Sequence, residues 1–245
     1  MPVERYTELA PPPALRGRVA CGWVVRGRHG ELGHRVLPDG CTDIVWSEDR
    51  LFLVGPMTTA QNGRSAHAAG VRLRPGAARL LGLPASEILD ARVDVAEAWG
   101  RSGAALAGRL AEVDHDDVPG LLLEELAGRL DETPDLDPVV QTAVDALESE
   151  RGARVAELGR DLYLSERQLR RRFLRDVGVG PAAFARVVRL HRLLELAPRS
   201  PAGTTLLRLA VEAGYSDESH LARDTRELAG VTPTVLLRDH APLAR

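Results

Sequence analysis

VAELGRDLYLSERQLRRRFLRDVGVG, residues 155–180, spells a helix, a tight turn and a second helix. Val155, Leu158 and Leu162 stand at i, i+3 and i+7, the spacing of a helix with one buried side. Tyr163 and Leu164 make the turn. Ser165 then serves as an N-cap. Gln168, three residues on, completes a capping box, in which the two side chains satisfy each other's backbone N–H groups. In the second helix Leu169, Phe173 and Val177 repeat every fourth residue and form the inward stripe. At about 100° per residue, Arg167 and Arg171 project nearly opposite Leu169, with Arg170 beside them. An outward row of guanidinium groups suits the DNA major groove, where arginine makes paired hydrogen bonds to the guanine edge and also binds phosphate. Taken alone, the row is equally compatible with a solvated basic helix face.

The pattern recurs downstream. Thr204 to Ala213 places Leu206, Leu209, Ala210 and Ala213 on one side of a short helix, and Gly214-Tyr215-Ser216 turns the chain. Asp217 caps a helix that runs to about Ala229, with Leu221, Thr225 and Leu228 inward and Ser219, Arg223 and Arg226 outward. Between the two units, Pro181 to Ala197 carries Pro at its first helical position and a broad apolar side of Phe184, Val187, Val188, Leu190 and Leu194. At 1.5 Å per residue this connector is roughly 25 Å long. A stiff rod of that length can hold two recognition helices about one DNA turn apart, roughly 34 Å. His191, on its apolar side, reads as a core histidine.

On these residues the last ninety or so positions resemble the DNA-binding domain of AraC/XylS-type transcription regulators. The matching pieces are LSERQLRRRF, the G-x-x-P-x-x-F-x-R-x-x-R-L entry at Gly178 to Leu190, AxxxGYSDESHLAR at Ala210 to Arg223, and GVTPTVLL at Gly230 to Leu237. The family usually has an aromatic where Thr225 stands, so the second unit departs from its pattern there. The resemblance implies double-stranded DNA as a partner, read through Arg167, Gln168, Arg170, Arg171, Ser219, Arg223 and Arg226, the last nearer phosphate. It further implies a cytoplasmic, homodimeric regulator, nominally an activator, with RNA polymerase as another partner.

Charge divides the chain the same way. Residues 151–245 hold 17 of the 32 basic residues but only 11 of the 35 acidic ones, so this part is positive although the whole chain carries −3. A basic domain joined to an acidic one fits one part that meets nucleic acid and one that avoids it. All 32 basic residues are arginine. No apolar run reaches the roughly 18 residues of a membrane helix, and the N-terminus lacks a basic start followed by an apolar core. No membrane association is expected.

The N-terminal part reads as β followed by helix. Pro11-Pro12-Pro13 is expected to be extended and to pack as an arm. Strands are expected at Val19–Val25, His34–Leu37, Cys41–Trp46, Leu51–Val54 and Gly70–Leu73, with a strong turn at Pro38-Asp39-Gly40 and a polar loop from Thr58 to Ala69. Helices are expected at Val95–Gly100, Ser102–Ala111, Val118–Leu130 and Asp137–Ser149. The acidic, proline-containing DETPDLDP is the linker. The fold class is therefore α+β: a small β-barrel-like domain followed by helices, then an all-α domain of two helix-turn-helix units joined by a linker helix. The division is 1–130 for sensing or dimerisation, 131–137 for the linker, and 138–245 for DNA. The N-terminal part also resembles the sensor domains of AraC/XylS regulators, with an uncharacterised actinobacterial-type subgroup suggested by HRVLPDGCTDIVW and GVRLRPGAARLLG.

Chemistry beyond binding is sparse. No Walker loop, Rossmann fingerprint, G-x-S-x-G or H-E-x-x-H is present, so no enzyme activity and no cofactor are expected. Cys21 and Cys41 flank His29 and His34 in a spacing that is not a standard zinc pattern, and no metal is assigned. The cysteines read as core thiols in preference to a redox pair. Trp23, His34, Asp39, Cys41 and Trp46 are the candidate contacts for a small-molecule effector. The alternative is an N-terminal domain that binds a protein partner or senses redox state without a ligand. The leucines of residues 102–130 exceed what a small barrel needs, which points to a dimer interface there.

Overall fold

The alternation along residues 19–73 builds a sheet with two chemically different faces. The structure, a computed structural model, describes residues 5–27, 35–63, 67–149, 155–201 and 203–239. Six antiparallel strands, β1 (Arg5–Leu9), β2 (Val19–Arg26), β4 (Thr42–Ser47), β5 (Arg50–Val54), β7 (His67–Leu73) and β8 (Arg92–Asp94), lie in the order β1-β2-β7-β4-β5-β8. Two short strands, β3 (Arg35–Val36) and β6 (Gln61–Asn62), form a separate ribbon. Val71, Ile44 and Leu53 face one side in register, joined by Trp46, Leu73 and Ala69. Cys21, Arg72 and Asp43 lie opposite one another on the other side, beside Trp23, Val25 and Val45.

The first face is covered by helices. After α1 (Val95–Trp99), helices α2 (Arg101–Leu110) and α3 (Val118–Gly128) bury Leu106, Leu110, Leu122, Leu123 and Leu126, each at most 4% exposed, against the sheet. Each such side chain gains about 1.5–3 kcal/mol on burial. The leucine surplus is therefore spent inside the chain, not on an outward face. α3 approaches so closely that a Cβ on Gly22 would lie 2.8 Å from the Cβ of Pro119, so only glycine fits on β2 there. The segment before the sheet is more ordered than a proline-rich arm: Arg5–Leu9 pairs with β2, and Pro13–Leu15 is a 3-10 turn. The polar loop at 58–69 contributes β6 and the start of β7, because pairing with β3 and β2 supplies what its own sequence pattern lacks.

Among the described residues from 138 on, the α-helices are α4 (Pro138–Glu148), α5 (Val155–Asp161), α6 (Glu166–Val177), α7 (Pro181–Leu196), α8 (Leu206–Ala213), α9 (Glu218–Ala229) and α10 (Pro233–Asp239), and no strand interrupts them. One core unites Val140, Val144 and Leu147 of α4 with Leu158, Leu169, Phe173, Val177 and Phe184. Another joins Leu193 to Leu209, Ala210, Ala213, Tyr215 and Leu221. α7 spans both, so the two helix-turn-helix units share one rod. Asp137 caps α4 by accepting from Val139 N–H, and its buried carboxylate also takes both oxygens' worth of hydrogen bonding from Arg172 Nη1, at 3.0 and 2.9 Å.

The N-terminal sheet packs on this helical body along a long seam. Arg79, beyond the sheet, donates to Asp176 of α6 at 2.9 Å, and Asp176 also accepts from Arg175 at 2.8 Å. Burial alone would raise the Asp176 carboxyl, but the guanidinium bonds from Arg175 and Arg79 outweigh it and hold the group below its ordinary value. Leu37 joins Val187, Leu190, Leu228 and Leu236 in a third core. Gly178 turns the chain after α6 at φ 85°, in the left-handed region, against Pro56, Ala85 and Leu89.

Candidate functional site

The first unit is built as its capping signals require. Ser165 accepts from Gln168 N–H, while Gln168 Oε1 accepts from Ser165 N–H at 3.0 Å. Leu169, Phe173 and Val177 are at most 2% exposed. The turn before α6 is tight: Tyr163 adopts φ 54° and points its ring into solvent, 95% exposed. In the second unit Gly214 takes the left-handed turn at φ 96°, and Asp217 accepts from His220 N–H at 2.8 Å. That N–H and the Ser216 hydroxyl hold the Asp217 carboxyl below its ordinary value. Thr225, at the position where an aromatic was expected, is fully buried, and its hydroxyl donates to Leu221 O at 2.8 Å. The hydroxyl is thus satisfied inside the helix, and the stripe stays closed with a smaller residue.

The arginines of α6 and α9, with Arg186 and Arg189 of α7, fall into two sets. Arg172 and Arg175 of α6 are tied to Asp137 and Asp176. Arg186 and Arg189 of α7 are tied to the buried carboxylate of Asp224, at 2.9 and 3.3 Å. Among the described residues, Arg167, Arg170 and Arg171 of α6 and Arg223 and Arg226 of α9 have no ion pair or side-chain hydrogen bond, and all five are exposed. Ser219 is exposed beside them on α9. Five free guanidinium groups on the outer faces of two capped helices are chemically able to pair with phosphates and base edges. Gln168 is exposed too, but its amide oxygen is committed to the capping box.

The second face of the sheet holds the expected effector contacts only in part. Trp23, Asp39 and Cys41 gather around one residue that sequence reasoning passed over, Arg72. Its Nε donates to Asp43 Oδ1 at 3.1 Å and lies 3.5 Å from Asp39 Oδ2, while Trp23 Nε1 donates to Asp43 at 3.0 Å. The Asp43 carboxylate, then that of Asp39, raises the pKa of Arg72 and keeps it charged. Only the Nε of this guanidinium is hydrogen-bonded among the described residues, so its two outer nitrogens remain available. Trp46 does not belong to this group: strand alternation turns it to the helix-covered face, 6% exposed. His34, with His29, lies outside the described residues. The signal for Arg72 was a lone charge in the apolar run GVRL, matched by Asp43 within the strand CTDIVW.

Cys21 and Cys41 are both free thiols. Cys21 is opposite Arg72, and Arg72 opposite Asp43, so β7 separates the two cysteine-bearing segments. Two strand spacings are about 10 Å, beyond the roughly 7 Å between Cα atoms that a disulfide spans. Burial, then Glu8, pushes Cys21 up to about 11, and burial, then Asp39, raises Cys41 well above its ordinary value. Among the described residues no three His, Cys, Asp or Glu side chains are placed to hold a metal ion. No helix there is long and apolar enough to cross a membrane.

Residues 158–239 match the family model of a helix-turn-helix domain, and residues 7–94 match that of a domain of unknown function, DUF6597. No curated protein matches the chain. Among solved structures, that of ToxT from Vibrio cholerae O395 is 10% identical, with 97% of each chain covered and a TM-score of 0.42. Unsaturated fatty acid-bound wild-type ToxT from Vibrio cholerae strain SCE256 is 12% identical, with 88% of this chain and 93% of that one covered and a TM-score of 0.40.

Proposed function

We propose, for a chain whose residues 158–239 form an AraC-type helix-turn-helix domain, that it is a DNA-binding transcription regulator under the control of its N-terminal domain. The observation that carries this reading is the sorting of the arginines. Arg172, Arg175, Arg186 and Arg189 are neutralised by buried carboxylates, and Arg167, Arg170, Arg171, Arg223 and Arg226 on α6 and α9 are left free. Arg167, Arg170 and Arg171 are assigned to base edges in the first half-site, and Ser219 and Arg223 to the second. Arg226 is assigned to phosphate. Gln168, spent on its cap, is assigned a supporting role.

Residues 1–130 are the regulatory domain, 131–137 the linker and 138–245 the DNA-binding domain. The regulatory input is a small molecule at the face formed by Trp23, Asp39 and Cys41 around Arg72. The free outer nitrogens of a held guanidinium support a ligand that presents an acceptor group. Dimerisation and contact with RNA polymerase rest on the resemblance alone, since the leucines of α2 and α3 are buried within the chain.

The test is binding of the full-length chain to duplexes it selects from a random pool, at several salt concentrations. Arg226→Ala should weaken binding to all sequences and reduce the salt slope by about one unit. Failure to enrich any duplex sequence would overturn the reading.

A further inference from the structure

We infer that the segment Arg35–Cys41 couples the N-terminal domain to the second recognition helix, with Arg35 as a positioning residue for α9. Its consequence for DNA rests on the function proposed above; its geometry does not. A helix leaves its last four carbonyls without partners inside the helix. In α9 the N–H of Gly230 returns to Arg226 O. The carbonyls of Leu228 and Ala229 are satisfied from the far end of the chain. Ala60 N–H donates to Leu228 O at 2.7 Å, and Arg35 Nη1 donates to Ala229 O. Arg35 lies in β3 and Ala60 immediately precedes β6, so a single ribbon supplies both partners. The guanidinium also meets the negative end of the helix dipole. Beneath it, Leu37 is 6% exposed and packs with Leu190, Leu228 and Leu236. The final turn of α9, which carries Arg226 and follows Arg223, is thus completed by the N-terminal domain and not by its own.

The next residues tie the same segment to α7 and to Arg72. His191 Nε2–H donates to Pro38 O at 2.7 Å. Gly40, at φ 75°, lies so close to Phe184 that a Cβ would fall 2.6 Å from its ring. Asp39 Oδ1 accepts from Cys41 N–H at 2.9 Å, and Asp39 Oδ2 lies 3.5 Å from Arg72 Nε. Between Arg35 and Cys41, the helical body holds Arg35, Leu37, Pro38 and Gly40, and the sheet holds Asp39. Such a segment has no slack. Whatever draws Asp39 away from Arg72 pulls on the cap of α9.

Hydrogen exchange on the full chain reads the cap directly. Arg35→Ala should speed exchange at the last turn of α9 by about tenfold, the loss of roughly one charge-assisted hydrogen bond. Arg35→Lys should recover part of it. Asp39→Ala, at the opposite end of the segment, should speed exchange at the same turn. On a selected duplex, Arg35→Ala should lower affinity by about tenfold. That loss should vanish on a duplex in which the half-site that Arg223→Ala ceases to read is scrambled. Unchanged exchange in Arg35→Ala would overturn the positioning role, and unchanged exchange at α9 in Asp39→Ala would overturn the coupling. Equal affinity loss on both duplexes would reduce Arg35 to general support. If the chain selects no duplex, the regulator reading fails, while the exchange measurements still decide this inference.

Discussion

Arg171 and Arg172 are neighbours on α6, and their replacement by alanine should have opposite consequences. Arg171 is exposed and has no partner among the described residues, so Arg171→Ala should change stability by within about 0.5 kcal/mol. If it pairs with a guanine, the same change should cost about 1–3 kcal/mol of discrimination at one base position. Arg172 instead grips Asp137, whose side chain is only 8% exposed. Removing one partner of a fully buried pair costs about 3–5 kcal/mol. Here the figure must be reduced. Arg172 is itself 36% exposed, and Asp137 keeps Arg175 at 3.1 Å and Val139 N–H at 3.1 Å. A loss of about 1–2 kcal/mol remains, or roughly 2–8 °C in melting temperature for a chain of this size. Calorimetry and binding isotherms on selected and scrambled duplexes measure both variants. Arg172→Ala should melt earlier with specificity intact, and Arg171→Ala should melt normally with specificity relaxed. The reverse pattern would mean that α6 presents a different face to DNA, and identical effects would mean that partner assignment does not separate structural from recognising arginines.

Three further outcomes follow from the packing. The folded carboxyl of Asp176 lies below its ordinary value, so its stabilising contribution is complete above that value and is lost as pH falls through the folded pKa; melting temperature should drop below about pH 4, and Asp176→Asn should flatten that drop. Cys21 and Cys41 are held protonated and too far apart to bridge, so mild oxidant should leave DNA affinity unchanged; an oxidant effect that disappears in Cys41→Ala would overturn the reading of these cysteines as core thiols. Gly178 and Gly203 share the left-handed conformation, at φ 85° and 86°, but a Cβ on Gly178 meets Pro56 at 3.2 Å whereas one on Gly203 meets nothing within 4 Å. Both alanine variants should therefore lose about 1–2 kcal/mol from backbone strain, with a further loss for Gly178→Ala in a denaturant titration.

The helical part was legible because its signals are local. Ser165, Gln168 and Asp217 mark helix starts through bonds that span three residues, and Leu169, Phe173 and Val177 mark a face through one period. β1 and β8 carry no such signal. Five and three residues are too few to show alternation, and both exist because β2 and β5 offer them an edge. Trp46 was misplaced because a tryptophan in a strand is equally apt for either side of the sheet, and only register decides between them. The leucines of α2 and α3 were counted correctly but assigned to the wrong surface, since sequence does not reveal how much sheet there is to cover. The polar cluster on the second face of the sheet was half visible: Trp23, Asp39 and Cys41 were singled out, while Arg72, the charge they surround, was hidden in an apolar strand. The seam was not legible at all, because a backbone N–H such as that of Ala60 has no side chain to announce its partner.

The ribbon that finishes α9 also fixes an order of events during synthesis. Arg35 and the carbonyl it caps are 194 residues apart in the chain. At typical elongation rates the ribbon leaves the ribosome on the order of ten seconds or more before α9 does. A nascent chain therefore completes the end of α9 only after the ribbon that caps it has been made. A contact of such long sequence separation adds nothing until the intervening loop is closed, so it forms late. A chain whose sheet is misregistered would leave the last two carbonyls of α9 without the partners that the ribbon supplies.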